Sequence, residues 1–145
     1  MLWILILAFA LSAAGPCFAQ TVALSIVRLD CAAPLSPLFS PPASPQEKEK
    51  VSAEWVGADE LAVESWDDET ADSRVDPSTA KVYLDGSIVT LTYSHRAVAP
   101  DRNKAVATCQ SLVKLFFTVS GLARTHYLLR IDGGRGGVHQ LTIDG

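Results

Sequence analysis

No enzyme signature runs through this chain of 145 residues. A Gly-x-Ser-x-Gly elbow, a Gly-x-x-x-x-Gly-Lys phosphate loop and a His-Glu-x-x-His or His-x-x-x-His pair are all absent. Elbow hydrolases, P-loop enzymes and helix-borne zinc sites are thereby excluded as motif-based readings. The tract Gly133-Gly134-Arg135-Gly136-Gly137 has neither the spacing of a phosphate-binding loop nor a helix after it. Charge is also scarce, at 19% of residues with a net charge of −4, and the basic residues are scattered, which argues against nucleic acid as a partner. No sustained helical periodicity is present either, so an all-helical class has no support.

Cysteine is scarce as well, and where the three thiols lie depends on the first residues. Leu2 to Ala14 is an apolar run of the length of a signal h-region and well short of the ~20 residues that span a bilayer. No Lys or Arg precedes it, so the α-amino group alone supplies positive charge. Ala14-Gly15-Pro16 breaks the helix, and Cys17-Phe18-Ala19 places small residues three and one before a cut at Gln20. We therefore expect a signal peptide over residues 1–19, an exported protein in the periplasm or outside the cell, and no membrane span after cleavage. Sixteen of those 19 residues are apolar, and without them the chain falls from 48% to about 43% apolar, so the positive mean hydropathy belongs to the leader.

Cleavage would leave two cysteines, Cys31 and Cys109. In an oxidising compartment they are expected to form a disulfide, since neither sits in a Cys-x-x-Cys context for redox chemistry. By the chain-entropy relation, closing the 78 residues between them is worth roughly 4.5 kcal/mol at most, a large share of a domain's stability.

Residues 20–145 read as one domain of short strands. Thr21 to Leu29 alternates and leads to Cys31. Residues 33–45 hold five of the eight prolines and form an extended connection, because proline lacks the N–H that a ladder needs. Ser44-Pro45-Gln46-Glu47 fits the start of a short helix reaching Lys50. Val51 to Trp55 and Leu61 to Trp66 alternate about a four-residue connection, which predicts a hairpin with Trp55 and Trp66 facing the core, or else forming a sugar-stacking platform. Lys81 to Leu84 and Ser87 to Tyr93 flank Asp85-Gly86, a dipeptide suited to a turn with positive φ. In Leu112 to Val119, the face of Val113, Leu115, Phe117 and Val119 is wholly apolar. Tyr127 to Ile131 and Val138 to Ile143 close the chain as a last hairpin. The expected fold is all-β, an antiparallel sandwich of about seven strands.

The stretch Leu115-Phe116-Phe117-Thr118-Val119-Ser120-Gly121-Leu122, followed by Tyr127-Leu128-Leu129-Arg130-Ile131, resembles the corner between the fifth and sixth strands of fibronectin type III and immunoglobulin-like modules. With Cys31, Cys109 and the hairpin at Val82, it is similar to bacterial exported modules of that sandwich type. The resemblance covers mainly residues 82–131. It implies an immunoglobulin-like fold in which Tyr127 hydrogen-bonds back across its loop, and it carries no catalytic position.

The remaining candidates for chemistry are few. His95, His126 and His139, with Asp67, Asp68, Glu69 and Asp72, are the available metal ligands, the histidines for a transition metal and the acids for calcium. The Asp-x-Asp-x-Asp-Gly calcium loop is missing, and a solvated acidic loop over Asp67 to Asp72 is the plainer expectation. Glu54 to Asp76 carries nine carboxylates and one arginine, a local charge of −8, whereas Pro77 to Gly145 carries eight basic and four acidic side chains, or +4. Such segregation suits docking to another envelope or extracellular protein, or self-association. The surfaces expected to serve are the Pro-rich segment, the acidic stretch and the Ser94 to Thr108 connection, with Trp55, Trp66, Arg96, Arg102 and Lys104 as contacts. The function expected is a binding or structural module without cofactor or catalysis, with a metal-binding exported protein as the alternative.

Overall fold

Strict alternation between apolar and polar residues makes a strand with one dry face, and two such sheets bury their dry faces against each other. The computed structural model describes residues 19–28, 51–70, 72–99, 111–135 and 137–145, which form eight strands and no helix. The strands are β1 (Thr21–Arg28), β2 (Ser52–Trp55), β3 (Glu60–Glu69), β4 (Ser73–Asp85), β5 (Ile88–Ala97), β6 (Ser111–Ser120), β7 (Tyr127–Asp132) and β8 (His139–Ile143). They build two four-stranded sheets, ordered β1-β6-β3-β2 and β4-β5-β7-β8. The protein is an all-β sandwich.

β6 shows how the sequence produces this arrangement. Val113, Leu115, Phe117 and Val119 are at most 1% exposed, while Leu112, Lys114 and Phe116 on the other face are half-buried. The buried face meets Leu61 and Val63 of β3 and, from the second sheet, Val75, Val89, Leu91, Leu129 and Ile131. Val22, Leu24 and Ile26 of β1 pack on the same core from its edge. One flank is closed by the extensive approach of β1 to β4. The opposite flank, between β2 and β8, is tied by Trp55, whose Nε1 donates to the Asp144 carbonyl at 2.9 Å.

Three expectations need correction. The sheets are not antiparallel throughout, because β5 and β7 pair in parallel, Ile88 opposite Leu128 and Thr92 opposite Asp132. Between them the chain leaves for the other sheet as β6 and returns, and such a crossover brings it back in the same direction. The acidic stretch is strand rather than loop: Asp67 to Glu69 end β3 and Ser73 to Asp76 open β4, which lengthens two expected runs, and the described residues hold eight strands where about seven were expected. Trp66 faces outward, on the same face of β3 as Ala62 and Glu64, with the Lys114 ammonium 5.7 Å from its ring centroid and 5.0 Å from that of Phe116. A period of two places Trp66 opposite in sense to Leu61 and Val63, and that parity was readable in the sequence.

The first part of β4 hides in the sequence because Pro77 interrupts the strand, and the β4–β5 register shifts between Asp76 and Lys81. Side chains stitch the irregularity. Asp76 Oδ1 accepts the Ser78 N–H at 3.0 Å, and Thr79 Oγ1 donates to the Asp76 carbonyl and accepts the Ser94 N–H. The β4–β5 turn has Gly86 and Ser87 at its centre, one residue later than Asp85-Gly86, and only Gly86 takes positive φ (55°), as a II′ turn requires.

At the β6–β7 corner, the Tyr127 hydroxyl donates to the Ala123 carbonyl at 2.9 Å with its ring 6.3 Å from Trp55. Tyr127→Phe keeps the buried ring and loses one hydrogen bond. Urea unfolding should therefore show a loss of about 1 kcal/mol with an unchanged m-value.

Candidate functional site

The inward face of β3 changes chemistry halfway along. Leu61 and Val63 are followed on the same face by Ser65, Asp67 and Glu69, exposed by 2%, 5% and 0%. Buried carboxylates are costly unless their lone pairs are filled, and the neighbouring strands fill them.

Glu69 is held from two sheets. Arg28, the last residue of β1, grips it with two bonds, Nε to Oε2 at 2.9 Å and Nη2 to Oε1 at 3.1 Å. From β4, Arg74 Nη1 donates to Oε2 at 3.1 Å and the Val75 N–H to Oε1 at 2.8 Å. Burial pushes the Glu69 carboxyl up, but the Arg28 bond, the Val75 N–H, the charge of Arg28 and the Arg74 bond together outweigh it and hold the group below its usual value.

Asp67, two residues earlier, gathers β5 and the β7–β8 turn. The Tyr93 hydroxyl donates to Oδ2 at 2.9 Å, and the N–H groups of Asp68 and Arg135 donate to Oδ1 at 2.8 and 3.1 Å. His95 Nε2 lies 3.1 Å from Oδ2, but out of line for a hydrogen bond and shielded from solvent. Burial, the charge of Asp67, its hydrogen bond and the charge of Asp132 together push the Tyr93 phenol well above its usual value. The phenol therefore stays a protonated donor over the whole physiological range.

The metal candidates are dispersed among these roles. His95 and Asp67 meet, whereas Asp68 lies on the opposite face of β3 from Asp67 and Glu69. Asp72 accepts the Thr70 hydroxyl in the β3–β4 turn. His126 lies beyond the far end of the same sandwich, with Nδ1 2.6 Å from Asp144 Oδ1 at an exposed position, and His139 opens β8 opposite Ile131. Among the described residues no three histidines, cysteines or carboxylates are placed to share a metal ion.

The expected contact residues are divided too. Trp55 packs on the core, Trp66 lies on the outer face of the first sheet, and Arg96 is exposed on β5 in the second. Arg102 and Lys104, the cysteines Cys17, Cys31 and Cys109, residues 1–18 of the expected leader, the Pro-rich segment and the helix start at Ser44 lie outside the described residues.

Arg28, Arg74, Tyr93 and the Arg135 N–H were not singled out from the sequence. The signal that leads to them is the unbroken alternation Leu61-x-Val63-x-Ser65-x-Asp67-x-Glu69, which commits two carboxylates to a buried face and so demands partners. Fold and cluster together define a two-sheet β-sandwich sealed at one end by two bonded carboxylates. No family model, curated protein or solved structure matches the chain.

Proposed function

We propose that this chain is an exported, disulfide-stapled, non-catalytic binding module on an immunoglobulin-like sandwich, working at its surface against another envelope or extracellular protein. The observation that carries the reading is the engagement of the buried polar side chains at the sealed end of the sandwich. Asp67, Glu69 and Tyr93 spend their hydrogen-bonding capacity on each other, on arginines and on backbone, which leaves them to hold sheets together. No described helix is long and apolar enough to cross a membrane.

The strand register supports the staple. Arg28 of β1 faces Val113 of β6, Cys31 lies three residues beyond Arg28, and Cys109 lies four residues before Val113. Two short tethers thus leave from a paired position, and chain segments of that length can span the Cα separation of about 5–6 Å that a disulfide requires.

Purification from the native envelope followed by non-reduced intact mass tests the reading. The expected mass begins at Gln20, is two hydrogens short of the dithiol form, and is accompanied by a co-purifying protein. A mass that retains residues 1–19 and both free thiols, or a native mass that includes a metal ion, overturns it.

A further inference from the structure

Resting on the reading of the chain as a binding module, we infer that the outer edge of β2 is its docking strand, and that it takes an extended peptide bearing lysine or arginine. β2 is an edge strand, paired only to β3, with Ser52 opposite Glu64 and Trp55 opposite Leu61. Just past its end the Val56 N–H bonds to the carbonyl of Glu60, the residue directly opposite. Main-chain groups in an antiparallel ladder alternate in direction, so Glu54 and Ser52 bond toward β3 while Ala53 and Trp55 present N–H and C=O away from it. No described residue pairs with them on that side. On this flank the cross-sheet contact is slight and includes the Trp55 bond to the Asp144 carbonyl, whereas on the other β1 approaches β4 extensively.

Beside this edge, Ser52, Ala53, Glu54, Ala62 and Glu64 line a groove of about 250 Å³. Among the described residues, the outer face it opens on carries Glu54, Glu60 and Glu64, with Lys114 as its cation, 2.7 Å from Glu64. A strand added to an edge gains affinity from main-chain bonds and specificity from alternate side chains. Here the side chains that fall on the outer face meet carboxylates. The charge also selects against a second copy, because two β2 edges paired across a two-fold axis would bring Glu54 toward its own equivalent. A foreign basic strand meets no such penalty.

The test titrates the mature chain with a synthetic Lys-Val-Lys-Val-Lys-Val peptide and with its Glu-Val counterpart, following backbone amides by NMR. The lysine peptide should bind saturably, shift and protect the Ala53 and Trp55 amides, and weaken as salt rises. Glu54→Lys, an exposed change that leaves the core intact, should weaken it by roughly fivefold or more, and Glu54→Gln by less. Equal binding of both peptides, binding indifferent to Glu54→Lys, or shifts confined to β4 or β8 overturns the assignment. A titration without shifts also overturns the β2 edge, but leaves the module reading standing. The wider reading is tested separately, by the intact and native masses above and by cross-linkers placed over both outer faces, whose failure to capture any protein in the native envelope overturns it.

Discussion

Replacing Glu69 by alanine should lower stability by about 3–5 kcal/mol, a cost on the scale of a broken buried ion pair and a large part of a domain's total. The change removes an acceptor of four bonds at once, leaves the Val75 N–H without a partner, and opens a space at a position with no solvent exposure. Arg28 and Arg74 temper the loss, since their side chains are 37% and 33% exposed and can turn to water. The lower end of the range is therefore the expectation, read from urea midpoints at neutral pH. The same carboxyl gives the fold a pH signature. Its native value lies below the ordinary 4.5, so its contribution is fully present above that pH and is lost as pH falls through the lower native value. Wild-type protein should lose stability as it is acidified through this window. Glu69→Gln, which keeps the shape without the charge, should be destabilised at neutral pH but show a shallower acid slope. A Glu69→Ala stability within about 0.5 kcal/mol of wild type, the scale of an ordinary surface substitution, would contradict the assigned role.

The second large effect belongs to a residue with no side chain. Gly133 follows β7 with φ of 138°, a conformation that residues with a Cβ rarely adopt, and a methyl added there would collide with the Tyr93 backbone carbonyl. Gly133→Ala must therefore move either the turn or β5. Both are joined at Asp67, through the Arg135 N–H from the turn and the Tyr93 hydroxyl from β5. Strained φ alone costs about 1–3 kcal/mol, and loosening the Asp67 bonds adds a comparable amount. We expect a fall in melting temperature of roughly 10 °C or more, together with faster hydrogen exchange at the Arg135 amide than at β6. Gly86→Ala is the control. Its φ is also positive, but an added methyl there meets open space, so only the conformational cost of about 1 kcal/mol is expected. Equal melting temperatures for the two variants would refute the close approach of Gly133 to β5.

How much could be read before the fold was known follows the same division between local and distant causes. Val113, Leu115, Phe117 and Val119 announce a buried face by alternation alone, and they line the core. Asp85-Gly86 marks the hairpin to within one residue, because turn chemistry is local. The acidic stretch misled for an equally physical reason. Carboxylates are placed outside by default, since burial penalises them unless partners are supplied, and the partners of Glu69 come from residues 41 and 5 positions away while Tyr93 reaches Asp67 from 26. Nothing in the local sequence states that Arg28 and Arg74 arrive together.

By itself, then, the sequence determined that this chain makes strands, where most of them run and which faces are dry, because side-chain alternation and turn residues act over a few positions. Tertiary structure decided the rest. It set the parallel β5–β7 pair and the conversion of an acidic stretch into a buried, bonded seal, along with the place of β2 at the end of its sheet. Each of these depends on which strands become neighbours. That choice is made by the free energy of the whole packed core and of its satisfied polar groups, terms that no short window of residues contains.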